Sequence, residues 1–171
     1  PSGLITSYAV EGSVGNVPTV TVSVQALDAT YTAGNPTYPA GSANDINVIR
    51  PDEITVTLGG TAYECRSFTY TLDIPREYVN KLGSLTPIAN IISGPPKVTV
   101  EAEIILRDSA NPKFANNTKN AVSIACGSLT YTVADAKIAN FTSNTSLDDI
   151  QVASITLEAP VKSAASISIP A

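Results

Sequence analysis

The sequence predicts an all-β protein: an antiparallel β-sandwich or barrel of about nine strands, with one short helix and a long arm-like loop. Three observations lead there. Apolar residues alternate with Thr and Ser at period two along much of the chain, as in strands with one buried face. β-Branched residues saturate these runs, which favours a pleated surface over a helix. The connections between runs are mostly too short for helical crossovers, so the strands pair antiparallel. With 171 residues and 43% hydrophobic content, the chain can bury a core and reads as one domain, 1–171.

The alternation is cleanest after Pro18, where Val20, Val22, Val24 and Ala26 oppose Thr19, Thr21, Ser23 and Gln25. From Tyr31 to Asp52 it stops, and Gly34, Asn35, Pro36, Pro39, Gly41, Asn44 and Pro51 crowd together. A connection longer than ~12–15 residues without structure is uncommon and usually functional or disordered. Because this one carries Tyr38, Ile46, Val48 and Ile49, it is expected to be an arm that packs on something. Strands resume at Ile54, Val56 and Leu58, then at Phe68, Tyr70, Leu72 and Ile74. Pro75 suits a first helical turn and Gly83 a left-handed stop, so Arg76–Leu82 is expected to form about two turns of helix. A Ser93–Pro96 loop precedes the strand of Val98, Val100, Ala102 and Ile104, and a polar loop covers 109–120. Two later runs change phase, at Gly127–Ser128 and between Val152 and Ile155, and a β-bulge is expected at each. Residues 161–171 form a C-terminal extension.

Composition excludes more than it proposes. There is no His, which removes Ser-His-Asp and Cys-His catalysis, imidazole zinc sites and a neutral-range His switch. Ten basic against fifteen acidic residues give a net charge of −5, and the basic residues are scattered, so binding DNA as a ligand is not expected. No apolar run approaches the ~20 residues that span a bilayer as a helix. Gly59–Gly60 lacks the Lys of a phosphate loop, and Asp148–Asp149 lacks the spacing of a calcium loop. Glu101 and Glu103 lie two apart on one strand face and read as a charged solvent face, not a catalytic pair. No cofactor, metal or catalytic residue is expected. The chain opens on Pro1, so it is expected to have lost its initiator, to be processed or to be part of a longer product.

Ser67 to Pro75, continuing Arg76-Glu77-Tyr78-Val79-Asn80-Lys81-Leu82-Gly83, resembles a segment of tailed-bacteriophage tail tube (major tail) proteins. Their strand runs into a short helix with an Arg-Glu…Lys-Leu-Gly signature, matched here by Arg76, Glu77, Lys81, Leu82 and Gly83. Ser7–Thr19, Ile49–Ile54 and the stretch from Ala136 through the Ile150–Leu157 strand are also similar to that family.

The resemblance implies a non-enzymatic virion protein whose subunits close into rings, usually hexameric, stacked into a hollow tube. Its partners would be itself and other tail proteins, the tape measure and a sheath among them, with DNA only as passing cargo. It would assemble in the host cytoplasm and end in the phage tail. Tyr38, Ile46, Val48 and Ile49 would then be an arm at the subunit interface, and Glu101 and Glu103 candidates for an acidic lumen. The alternative from another class is an extracellular Ig-like adhesion or surface domain bridged by Cys65 and Cys126.

Overall fold

Alternation becomes a ladder wherever two such runs can lie side by side, and here nearly every run finds a neighbour. The computed structural model describes residues 3–26, 49–50, 53–106, 120–144, 151–161 and 167–168. They contain β1 (Gly3–Ser13), β2 (Thr19–Ala26), β3 (Ile54–Leu58), β4 (Thr61–Tyr63), β5 (Cys65–Asp73) and β6 (Arg76–Val79). Then follow β7 (Ala89–Ile92), β8 (Lys97–Leu106), β9 (Asn120–Cys126), β10 (Leu129–Asn144), β11 (Gln151–Pro160) and β12 (Ile167–Ser168). Nine strands form one antiparallel path, β2-β1-β5-β8-β11-β10-β9-β3-β4, with β12 added beside β10. The β6–β7 hairpin is a separate two-stranded sheet.

The path curls into a half-barrel because β10 serves both halves. Its first residues pair with β9 and its last with β11. Register shifts at Val133/Ala136 and Ile138/Asn140 mark two bulges. At each bulge the inward parity flips, from Tyr131 and Val133 to Ala136 and Ile138, and then to Phe141. One extra residue per bulge turns the strand while keeping its apolar side on the core.

That core matches the alternation. Phe68, Tyr70 and Leu72 of β5, Val98, Val100, Ala102 and Ile104 of β8, and Ile155 and Leu157 of β11 are buried. Tyr131 ties the halves together. Its hydroxyl lies 3.1 Å from that of Tyr8 on β1, and its ring centroid lies 5.4 Å from that of Tyr70 on β5.

Three expectations are corrected. The segment after Pro75 is not a helix: Arg76–Val79 pairs as β6 with Ala89–Ile92, from Arg76↔Ile92 to Val79↔Ala89. Two turns are too few to offset helix nucleation, whereas Tyr78, Val79, Ile91 and Ile92 suit a pleat. The extended form is also pinned from outside, by Arg76 Nε donating to Ile5 O at 2.9 Å and Tyr78 Oη to Ala26 O at 2.7 Å. Lys81, Leu82 and Gly83 fall in the connecting loop. There Gly83 takes φ +82° and Ser84 N donates to Lys81 O, so the glycine ends a turn and not a helix.

The phase change at Gly127–Ser128 is no bulge either. It is a two-residue hairpin joining β9 to β10, with Cys126 opposite Leu129 and Gly127 at φ +58°. Paired residues share a face, so a two-residue turn shifts parity without any bend in a strand. In β11 the expected bulge is also absent: Gln151 to Pro160 pair with β8 without a shift, and Val152 lies on the opposite face from Ala153 and Ile155.

Burial makes the tyrosine core sensitive to alkali. The Tyr70 hydroxyl, without a hydrogen-bond partner among the described residues, is pushed up to about 12, first by burial and then by Tyr8. Tyr131 is raised too, chiefly by burial. An unfolded tyrosine ionises near pH 10, so stability from these protonated hydroxyls is complete below that pH and is lost as pH rises through 12. Urea midpoints should hold to about pH 9 and fall between pH 10 and 12, and Tyr70→Phe should remove about 2 kcal/mol of that fall.

Candidate assembly surface

The outward side of the β1-β5-β8-β11 layer is built rung by rung from the polar parity of each strand. One rung reads Thr19, Glu11, Thr69, Glu101, Thr156 and Asn140. The next reads Ser13, Ser67, Glu103, Ser154 and Thr142. Glu101 and Glu103, singled out by sequence, thus lie on one face with Glu11, which sequence reasoning missed. Glu11 comes two strand spacings, roughly 10 Å, from Glu101. Its alternation was visible, but its place beside Glu101 depends on long-range register. Ser67 Oγ donates to Glu103 Oε2 at 3.5 Å. Two further rungs add Asp73 and Glu158, against Lys97 and Lys137. Lys97 is engaged with Glu158 at 3.1 Å, so hydroxyls and carboxylates dominate this surface.

A second surface lies at the end of the path. β2 pairs with β1 on one side only, leaving its other edge unpaired among the described residues. Val20 and Val22 stand opposite Val10 and Tyr8, which places them on the core-facing side. Yet Val20, Val22 and Val24 are 52%, 46% and 58% exposed. The stripe predicted to be buried is uncovered because β2 overhangs the half-barrel. Beside it, the β6–β7 hairpin lies across the ends of β1 and β2, held also by Asn90 Nδ2 donating to Gln25 Oε1 at 2.7 Å. Its loop exposes Leu82 and Leu85 fully and Ile88 in large part, and β7 leaves Ile91 and Ile92 about half exposed. Sequence reasoning assigned Leu82 to a helix and did not single out the others.

Of the four arm residues, Tyr38, Ile46 and Val48 lie outside the described residues. Ile49 packs against the chain's own core, its Cγ1 3.6 Å from where a Cβ on Gly127 would stand. Arg50 N donates to Glu53 Oε2 just beyond it. Gly59–Gly60, at φ +57° and +85°, is the tight turn between β3 and β4. Among the described residues no group of three or more His, Cys, Asp or Glu is placed to hold a metal.

A family model described as "Phage tail tube protein" matches residues 2–170. The chain belongs to the phage tail tube family. It is therefore a structural component of a virion tail. No curated protein matches this tail tube chain by sequence. Among solved structures it is similar to a chain of the "Virion of native gene transfer agent (GTA) particle", at 10% identity and TM-score 0.52. That likeness covers 70% of this chain and 97% of the other, and it shows a shared fold.

Cys65 and Cys126, the pair an Ig-like domain would bridge, are both free in the tail tube chain. Burial, then Glu103, pushes the Cys65 thiol up to about 12, and burial raises Cys126 as well. Neither offers thiolate near neutral pH. Without reductant, a thiol reagent at pH 8 should label neither cysteine in folded protein and both in urea; fewer than two in urea would reveal a bridge.

Proposed function

We propose that this chain is a non-enzymatic subunit that self-associates into rings, six subunits in each. The rings stack into a tube that conducts DNA and encloses a tape measure during assembly in the host cytoplasm. In a contractile tail, a sheath would surround it. The observation that carries this role is the β2 edge. A free strand edge beside an uncovered valine stripe is a liability in a monomer and invites pairing with another chain. Joining edges around a ring covers both. The segment 31–48, with Tyr38, Ile46 and Val48, would add contacts between subunits or rings.

The outward face of β1-β5-β8-β11 is the surface best suited to line the lumen. A phosphate backbone passing Glu11, Glu101 and Glu103 would be repelled within the ~8 Å screening length at physiological salt. The two rungs that hold these glutamates offer neutral hydroxyl hydrogen bonds and no cation, and Lys97 beyond them is engaged by Glu158. Cargo can then slide.

Negative-stain microscopy tests the role directly: purified protein should form rings or tubes with a central hole. Val20→Lys with Val24→Lys should leave a folded chain by circular dichroism and raise the concentration needed for assembly at least tenfold. Persistent wild-type monomers at high concentration would overturn the assignment. Tubes of Glu101→Lys with Glu103→Lys should co-sediment with DNA at low salt and release it as salt rises, whereas wild-type tubes should not retain it.

A further inference from the structure

The two flanks of the β2-β1-β5-β8-β11-β10 layer carry unlike features at the same rim. On the β2 flank, the β6–β7 hairpin is anchored at the ends of β1 and β2 by Arg76, Tyr78 and Asn90. Its tip carries Leu82 and Leu85 into solvent at 98% and 106% exposure. Two bare leucines, one on each side of Gly83-Ser84, belong to no part of the described core. On the far flank, where β8 begins and β11 ends, an open cleft of about 360 Å³ lies against β10. Its walls are mainly apolar, from Pro95, Pro96, Ile138, Ala139, Ala159 and Pro160. The Lys97–Glu158 ion pair stands at its lip. The volume is at the small end of sites that enclose a ligand of side-chain dimensions.

The register puts tongue and cleft at one level. Asp73, the last residue of β5 before the hairpin, pairs with Lys97, and Lys97 pairs with Pro160. Ser7, two residues from the Ile5 anchor, pairs with that same Asp73. The tongue's root and the cleft's lip therefore share a single rung line across the layer. From Ser7 on β1 to Pro160 on β11 that line crosses three strand spacings, roughly 14 Å.

We infer that the Leu82–Leu85 tip of one subunit inserts into the Pro95–Pro96/Ile138–Pro160 cleft of the next copy around the ring. Unlike patches on opposite flanks make a heterologous contact, and at equal height it carries no rise from copy to copy, the condition for closing into a ring instead of a helical filament. The contact presupposes the ring assembly proposed above and adds to it a specific lock beside the β2 edge. It also fixes the direction of travel around the ring, since a tongue cannot dock on a tongue.

Disulfide trapping tests it. Leu85→Cys and Ala139→Cys chains, mixed at assembling concentration and oxidised, should give a covalent dimer that neither chain forms alone; Cys65 and Cys126 are present in both single-chain controls. Leu82→Glu with Leu85→Glu, both at exposed positions, should keep the native circular dichroism and raise the assembly concentration at least tenfold. Normal rings from the double-Glu chain, with no mixed disulfide, would overturn the tongue-in-cleft contact while leaving ring assembly intact. A dimer from Leu85→Cys alone would overturn it in favour of tongue-on-tongue packing. Failure of wild-type protein to form any ring would overturn both.

Discussion

A sheet that does not close on itself has two end strands, and each leaves a row of backbone groups that must find water or a partner. Nearly everything notable about this chain follows from that condition. The nine-strand path buries its apolar side by curling, but β2 runs past the region the second half can cover. The result is a strand that, among the described residues, is hydrogen-bonded on one side and apolar on an inward face that stays exposed. A protein working alone would blunt such an edge with lysine, proline or a bulge. Here the edge residues are Thr and Val, the side chains that another strand pairs with most readily.

The same layer separates its tasks by face. Inward positions are Val, Ile, Leu, Phe and Tyr, and they hold the halves together. Outward positions are mainly Thr, Ser and Glu, arranged in rungs by register and not by closeness in sequence. A surface of short polar side chains costs little entropy to hold flat, because Thr and Ser have few rotamers to lose. The acidic character of this face is therefore strongest on the two rungs of Glu11, Glu101 and Glu103, since Asp73 and Glu158 stand against lysines.

Much of this was legible in the residues. The inward parity of β5 and β8 is read directly from Phe68-x-Tyr70-x-Leu72 and Val98-x-Val100-x-Ala102-x-Ile104, because central strands obey alternation strictly. The Val20–Val24 stripe has the same pattern and the opposite exposure, since a period of two reports a face and not what lies over it. The helix expected at Arg76–Leu82 failed because Pro75 and Gly83 punctuate a hairpin as well as a helix; the deciding partner, Ala89–Ile92, lies ten residues on. Phase changes were equally ambiguous. A two-residue turn at Gly127–Ser128 and the bulges inside β10 both flip parity, and only pairing tells them apart. Glu11 was hidden for a related reason: its nearness to Glu101 is set by β5 between them.

The double membership of β10 has a consequence for how the chain fails. Among the described residues one covalent strand supplies a rung to each half, and Tyr131 on it reaches Tyr8 and Tyr70 opposite, so the halves share a strand. Loosening either one drags the shared strand and exposes the tyrosine cluster of the other. The subunit should hold its shape under load until it gives way as a whole.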